Sequence, residues 1–283
     1  ADPAAGLVTA IVAGFLISAL GGSRVQIGGP TGAFIVVVFG VIAAHGYDGL
    51  VLATFMAGII LVLAGLLRAG NLISFVPESV VNGFTVGIAI IIAASQIKDL
   101  FGLQPEHLPA EFIGKVDALW AARATVDWTS LGIGAVTMAL IVLLRRIAPK
   151  FPGLIVAVGF TSAAVFLFDL PVDTIGSRFG TMPSQLPQPR LPDLTLNRVI
   201  ELLPSAFVIA FLAGVESLLS AMVADRMTGG QYRRNAEVMA QGAANIGSAI
   251  FGGLPATGAI ARTATNVRAG GKTPVAGLVH ALA

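Results

Sequence analysis

The sequence predicts an all-α polytopic membrane fold with an internal inverted repeat, in which two half helices each follow a short extended segment. Three observations lead there. Hydrophobic residues make up 55% of the 283 residues and charged residues only 11%, where a soluble domain carries about 25% charged residues. Apolar runs close to the roughly 20 residues that cross a bilayer as helix recur along the chain. One stretch is nearly written twice, as GGPTGAF at Gly28–Phe34 and GGLPATGAIARTATNVR at Gly252–Arg268.

Taken in order, Ala4–Leu20 is a first apolar span, ended by Gly21, Gly22, Ser23 and Arg24. Val25, Gln26 and Ile27 alternate as a short extended segment before the Gly28-Gly29-Pro30 break. Thr31–Ala44 is then a helix too short to cross alone. A loop at His45–Asp48 leads to a full span at Gly49–Leu67, where glycines such as Gly58 suit close helix contacts. Asn71–Pro77 is mixed, and Ser79–Leu100 spans again, with Pro77 and Glu78 fitting its first turn. Phe101–Asp127 reads as an interfacial loop with an amphipathic helix. Thr129–Ile147 and Gly153–Phe168 follow as spans, and Asp169–Leu191, rich in proline, reads as extended. Leu203–Ala224 crosses with Glu216 near its middle, and Asn235–Phe251 crosses back. The second half helix is read as Thr257–Arg268, before a last span opened by Lys272 and Pro274.

Short loops holding Arg68, Arg145, Arg146, Arg226, Arg233, Arg234, Arg268 and Lys272 recur after every second crossing and mark the cytoplasmic side. The two broken helices are the second and ninth crossings, seven apart, and an odd interval inverts the copy. Two inverted repeats of seven spans, with half-helix starts meeting at the midplane, are a design of secondary transporters. These residues then form a fragment of about ten spans, with one span expected before Ala1 and about four after Ala283.

A helix start exposes unpaired N–H groups and a positive dipole end, so two facing starts make an anion site. The expected substrate-binding residues are Thr31, Gly32, Ala33 and Phe34, with Thr257, Gly258, Ala259, Ile260 and Ala261. Gln26 is a candidate amide donor to the substrate. Arg262, a basic residue inside a half helix, is a candidate anion ligand, because an intramembrane charge usually faces a cavity. Glu216 is read as the one acidic residue deep in a span, able to take a coupling proton or, with Ser217 and Ser220, to bind Na+. The bland alternative for Glu216 is a structural ion pair with Arg262. Asn82, Asn245 and Ser248 are read as hydrogen-bond partners between helices.

The composition also excludes functions. No cysteine is present, so disulfides and thiolate metal sites are ruled out. His45, His107 and His280 lie far apart and give no metal cluster, and a net charge of +2 spread over short loops gives no nucleic-acid patch. Neither a cleavable signal peptide nor a constellation for catalysis is present, so the chain is not read as an enzyme.

The runs SRVQIGGPTGAF at Ser23–Phe34, VESLLSAMVAD at Val215–Asp225 and ANIGSAIFGGLPATGAIARTATNVRAGGKTP at Ala244–Pro274 resemble the SulP anion transporters, whose animal members include prestin and pendrin. The resemblance covers nearly the whole chain. It implies a fourteen-span fold, with residues 1–70 and 200–270 in a core part, 71–170 in a gate part, and external loops at 101–127 and 169–192. It also implies a homodimer when full length and an elevator-like mechanism. A cytoplasmic STAS domain usually follows in the family and is not among these residues. Residue by residue, it makes Thr31–Phe34 and Thr257–Ala261 the anion-binding starts and sets Arg262 behind the site. Glu216 matches a position where bicarbonate carriers of the family hold an Asp that helps bind Na+. The longer Glu side chain makes proton coupling the first choice.

The expected function is secondary active transport of a small anion, such as sulfate, bicarbonate or a C4-dicarboxylate, by H+ or Na+ symport or by exchange, in the inner membrane. No other cofactor is expected. The alternatives are an anion channel or a nucleobase carrier on the same fold.

Overall fold

The computed structural model describes residues 3–71, 78–109, 111–148, 152–180 and 185–283, leaving out the side chains at 78, 81, 82, 84 and 85. The mixed segment expected at 72–77 and the side chain of Asn82 therefore lie outside the described residues. The chain divides into two compact units, Ala1–Thr85 with Met182–Ala283, and Val86–Thr181.

In the first unit, α1 (Pro3–Leu20) leads through Gly21–Ile27 to β1 (Gly28–Gly29), a 3-10 turn at Gly32–Phe34 and α2 (Ile35–Leu66). Helix α2 is two helices joined at Gly46, whose φ of 72° and ψ of −179° no helix accommodates. Glycine holds that conformation without a Cβ clash. The junction separates the half helix from the full span close to where the sequence places a loop. Helix α3 (Glu78–Leu100) closes the first half of this unit and runs on into the second.

The second unit adds α4 (Phe112–Ala121), α5 (Trp128–Ile147), α6 (Gly153–Leu167) and α7 (Ile175–Phe179). Asp127 caps α5, its carboxylate accepting from the backbone N–H groups of Thr129 and Ser130, both at 3.0 Å. The Ser130 hydroxyl, which also donates to this carboxylate, and then the two N–H groups favour the charged form and hold its pKa below the usual value of 3.8. Arg178 clamps Asp99 at 2.6 Å and Asp173 at 3.1 Å. Helix α7 corrects the expectation of an extended loop. The reciprocal capping box between Thr174 and Ser177 nucleates a short helix among the prolines.

The chain then returns to the first unit with α8 (Leu196–Thr228), α9 (Arg234–Ile250), β2 (Thr257–Gly258), α10 (Ile260–Arg268) and α11 (Val275–Leu282). Helix α8 starts seven residues earlier than read from the sequence and runs through Pro204 to its left-handed cap at Gly229. Leu50, Ala53, Ala57 and Leu61 of α2 pack in one apolar cluster with Leu202, Ile209 and Ala213 of α8. Against α9 the contact is closer still. A Cβ on Gly58 would sit 2.7 Å from the Gly242 carbonyl oxygen, and one on Gly242 2.6 Å from that of Gly58. Small residues let helices meet this way in lipid, where apolar side chains gain nothing by leaving their surroundings.

Among the described residues, four helical stretches are long and apolar enough to cross a membrane: Pro3–Leu20, Gly32–Leu66, Trp128–Ile147 and Leu196–Thr228. Helix α5 buries no residue, and its exposed Val136, Met138, Val142 and Leu143 suit a hydrocarbon environment.

Candidate functional site

Two breaks far apart in sequence are joined by main-chain pairing. Gly28 pairs with Gly258 and Gly29 with Thr257 in an antiparallel ladder, and the Ala259 N–H donates to the Ile27 carbonyl at 2.8 Å. The α10 side chains bind the same segment. Thr263 Oγ1 accepts from the Ile27 N–H at 3.0 Å, and the Asn266 amide donates to the Val25 carbonyl at 2.9 Å. The half helices thus start from a shared two-stranded crossing.

This pairing corrects part of the expected site. Thr257 and Gly258 are strand residues, and Ala259 is the N-cap of a helix that begins at Ile260. The backbone of Thr257–Ala259 is committed to the crossing, so the exposed turn there is Ile260, Ala261 and Arg262. Ala259 brings no side-chain cap to that turn. In the first copy Thr31 is extended rather than helical, and Gly32–Phe34 form a 3-10 turn without a side-chain cap before the α-helix at Ile35. Phe34 is buried in the main apolar cluster and packs the core.

Arg262 reaches back across the crossing, donating a hydrogen bond to the Pro30 carbonyl. The guanidinium therefore lies against the first break while belonging to the second half helix. Thr31 Oγ1 donates to Glu216 Oε2 at 3.1 Å. Glu216 and Arg262 form no ion pair among the described residues, so the structural pairing considered from sequence is not made. Thr31, Glu216 and Arg262 gather around the first break. Thr31 and Arg262 are half-buried there, and Glu216 is buried.

Ser217 and Ser220 are held elsewhere. Ser220 donates to Thr263 Oγ1 at 3.1 Å, and Ser217 donates to Glu237 Oε1 at 3.0 Å. Gln26 differs from its expected role as a substrate donor, because its amide nitrogen donates to the Ser217 carbonyl at 3.2 Å and to Ser217 Oγ at 2.9 Å. A carbonyl only accepts, so the amide nitrogen is the atom that faces Ser217.

Glu237 corrects the reading of Glu216 as the one deep acidic residue. It is fully buried, and four donors converge on it: the N–H groups of Gly22 at 2.8 Å and Ser23 at 3.1 Å on Oε2, and Ser217 with Gln241 Nε2, the latter at 2.9 Å, on Oε1. Asn245 continues the stripe, exchanging hydrogen bonds with the Ala256 backbone, and Ser248 donates to the Leu254 carbonyl at 2.7 Å. A signal for Glu237 and Gln241 was in the sequence. Residues 237, 241, 245 and 248 share one face of a helix, and a polar stripe inside a span points inward.

The model of the sulfate permease family matches residues 1–283, the entire chain. The chain belongs to the sulfate permease family. Within it, the chain is similar to YvdB of Bacillus subtilis, provisionally assigned to sulfate transport by its name, at 43% identity over 280 residues, covering 99% of this chain and 53% of that protein. It is 31% identical over 292 residues to the bicarbonate transporter BicA of Synechocystis, covering 100% of this chain and 51% of the other. The chain thus spans about half the length of the curated relatives it matches. Among solved structures, the transmembrane domain of a cyanobacterial bicarbonate transporter BicA superposes with a TM-score of 0.84 at 29% identity, covering 98% of this chain and 72% of that one. SLC26A9 shares the fold, with a TM-score of 0.78 at 18% identity, 99% of this chain and 48% of that one. A polytopic membrane fold of the sulfate permease type is therefore established for this chain.

Proposed function

We propose that the full-length protein is a secondary active transporter of a small anion such as sulfate, bicarbonate or a C4-dicarboxylate, and not an enzyme. One observation carries this reading. The starts of two half helices arise from one crossing, with Arg262 of one laid against the break of the other. Helix starts and a guanidinium both favour negative charge. A membrane-embedded arginine is costly enough to imply a use. A nucleobase carrier would need a carboxylate facing the base, and no observation favours that reading or a channel over carriage.

In this proposal the anion sits between Gly32–Phe34 and Ile260–Arg262. Glu216 is the coupling group, because Thr31, its one side-chain donor among the described residues, can equally accept from a protonated carboxyl. Proton symport is favoured over Na+, since Ser217 and Ser220 are engaged with Glu237 and Thr263. The division into two compact units supports a core part in Ala1–Thr85 with Met182–Ala283 and a gate part in Val86–Thr181. Elevator-like movement of core against gate, a homodimer and an inner-membrane location complete the proposal.

The test is uptake of labelled fumarate, sulfate and bicarbonate by full-length protein in proteoliposomes, with and without an inward proton gradient. Gradient-driven accumulation of one anion supports the reading. Equal, non-saturating flux of all three would replace it with a channel.

A further inference from the structure

The end of the first unit where α1, α8 and α10 finish borders an open cavity of about 920 Å³, apart from the half-helix starts. Around it lie Arg24, Arg233 and Lys272, with Asp225 as the single acid among the described lining residues. None of the three cations makes an ion pair among the described residues. Asp225 is already engaged, its Oδ2 accepting from the Tyr232 N–H at 2.7 Å. Three helices end at this cavity and two, α9 and α11, begin there, so their terminal dipoles largely cancel and the side chains set its sign.

Two buried hydroxyls give the second observation. Ser18 is 4% exposed and Ser23 6%, both line the cavity, and among the described residues the Oγ of each has no hydrogen-bond partner. A buried hydroxyl without a partner costs free energy, and a ligand that accepts hydrogen bonds removes that cost. The positive-inside bias accounts for cations at this end of the helices, but not for the unpartnered Ser23 hydroxyl beside the cavity, that of Ser18 lying against Gly277. The volume falls within the range of about 300–1,000 Å³ typical of small-molecule sites.

We propose that this cavity is a second anion site, separate from the transport site, that takes the phosphate-type oxyanion group of a free phosphate or of a lipid headgroup. Arg24, Arg233 and Lys272 supply the charge, and Ser23 Oγ supplies a neutral donor. A tetrahedral oxyanion presents enough acceptor oxygens to engage all four.

The experiment follows the acylation of Lys272 by an amine-reactive reagent, read by mass spectrometry, in full-length protein held in nanodiscs of neutral lipid. Inorganic phosphate is expected to slow modification severalfold and saturably, against gluconate at matched ionic strength. Arg24→Ala, in an exposed loop, is expected to abolish the protection, and Ser23→Ala to raise the phosphate concentration needed for it. Protection by anionic lipid in the disc without free phosphate, again lost in Arg24→Ala, would identify a headgroup as the occupant. If neither phosphate nor anionic lipid slows the reaction beyond the gluconate control, or if protection survives in Arg24→Ala, the cations only screen and the site does not exist.

Discussion

Thr31 and Glu216 meet across the crossing, the Thr31 hydroxyl donating to Glu216 Oε2 at 3.1 Å. This contact joins the start of the first half helix to the middle of α8, and it connects the carboxylate to the place where an anion would sit. Glu216→Gln in the full-length protein should abolish proton-driven accumulation while leaving exchange of anion across the membrane largely intact. Uptake assays with and without a gradient check this. Undiminished gradient-driven uptake in the variant would remove Glu216 from the coupling role.

Arg262 is bound to the Pro30 carbonyl and lies against the first break. Arg262→Lys keeps one charge but loses the planar fork that can hold the carbonyl and an anion together. The half-saturation concentration for the transported anion should rise by roughly tenfold, the equivalent of about 1.4 kcal/mol. A dose curve that matches the unaltered protein would return Arg262 to a structural role.

Gly258 has no room for a side chain. A Cβ there would lie 1.5 Å from Gln26 Nε2 and 3.2 Å from the Ser217 Cα. Gly258→Ala should therefore push Gln26 off Ser217 and open the crossing, at a cost on the order of 1–3 kcal/mol or more. Thermal unfolding of the full-length protein in detergent measures it, and an unchanged midpoint would show that the crossing adjusts freely.

Glu237 ties the segment after α1 to α8 and α9 through four donors. Glu237→Leu leaves those buried donors without an acceptor, each worth about 1–3 kcal/mol. A severe loss of stability is expected, seen as a lowered unfolding midpoint or failure to recover monodisperse protein. Glu237→Gln, which keeps one acceptor oxygen, should be milder, and equal stability of the two variants would contradict this account.

Asp127 holds the start of α5 in its charged form. Its folded pKa is lowered, so the cap contributes above the unfolded carboxylate value of 3.8 and is lost as pH falls through the lower folded value. Hydrogen exchange at the Thr129 and Ser130 amides should stay slow to below that pH, and Asp127→Ala should speed it at every pH above the folded value. Equal protection in the variant would mean that water satisfies the same groups.

Much of this was legible in sequence because its causes are local. A run such as Ala4–Leu20 admits little but a spanning helix, since a bilayer leaves backbone groups no partner outside the segment. The breaks at Gly28–Pro30 and Gly252–Ala256 were visible as glycine and proline, and Arg262 stood out as a charge inside a span. The start of α10 was misplaced because Thr-Gly-Ala reads alike in both copies. Only pairing with Gly28 and Gly29 turns Thr257 and Gly258 into strand.

By itself the sequence determined the membrane setting, several of the long apolar helices and the positions of the two breaks. Hydropathy, helix periodicity and the conformations open to glycine and proline act over a few residues and can be read along a line. Tertiary structure alone decided which polar groups meet. Gln26 faces Ser217, Ser217 faces Glu237, and Arg262 faces Pro30, across separations of 191, 20 and 232 residues. In a core without water each buried donor must find an acceptor somewhere in the fold, and that requirement carries no local mark in the chain.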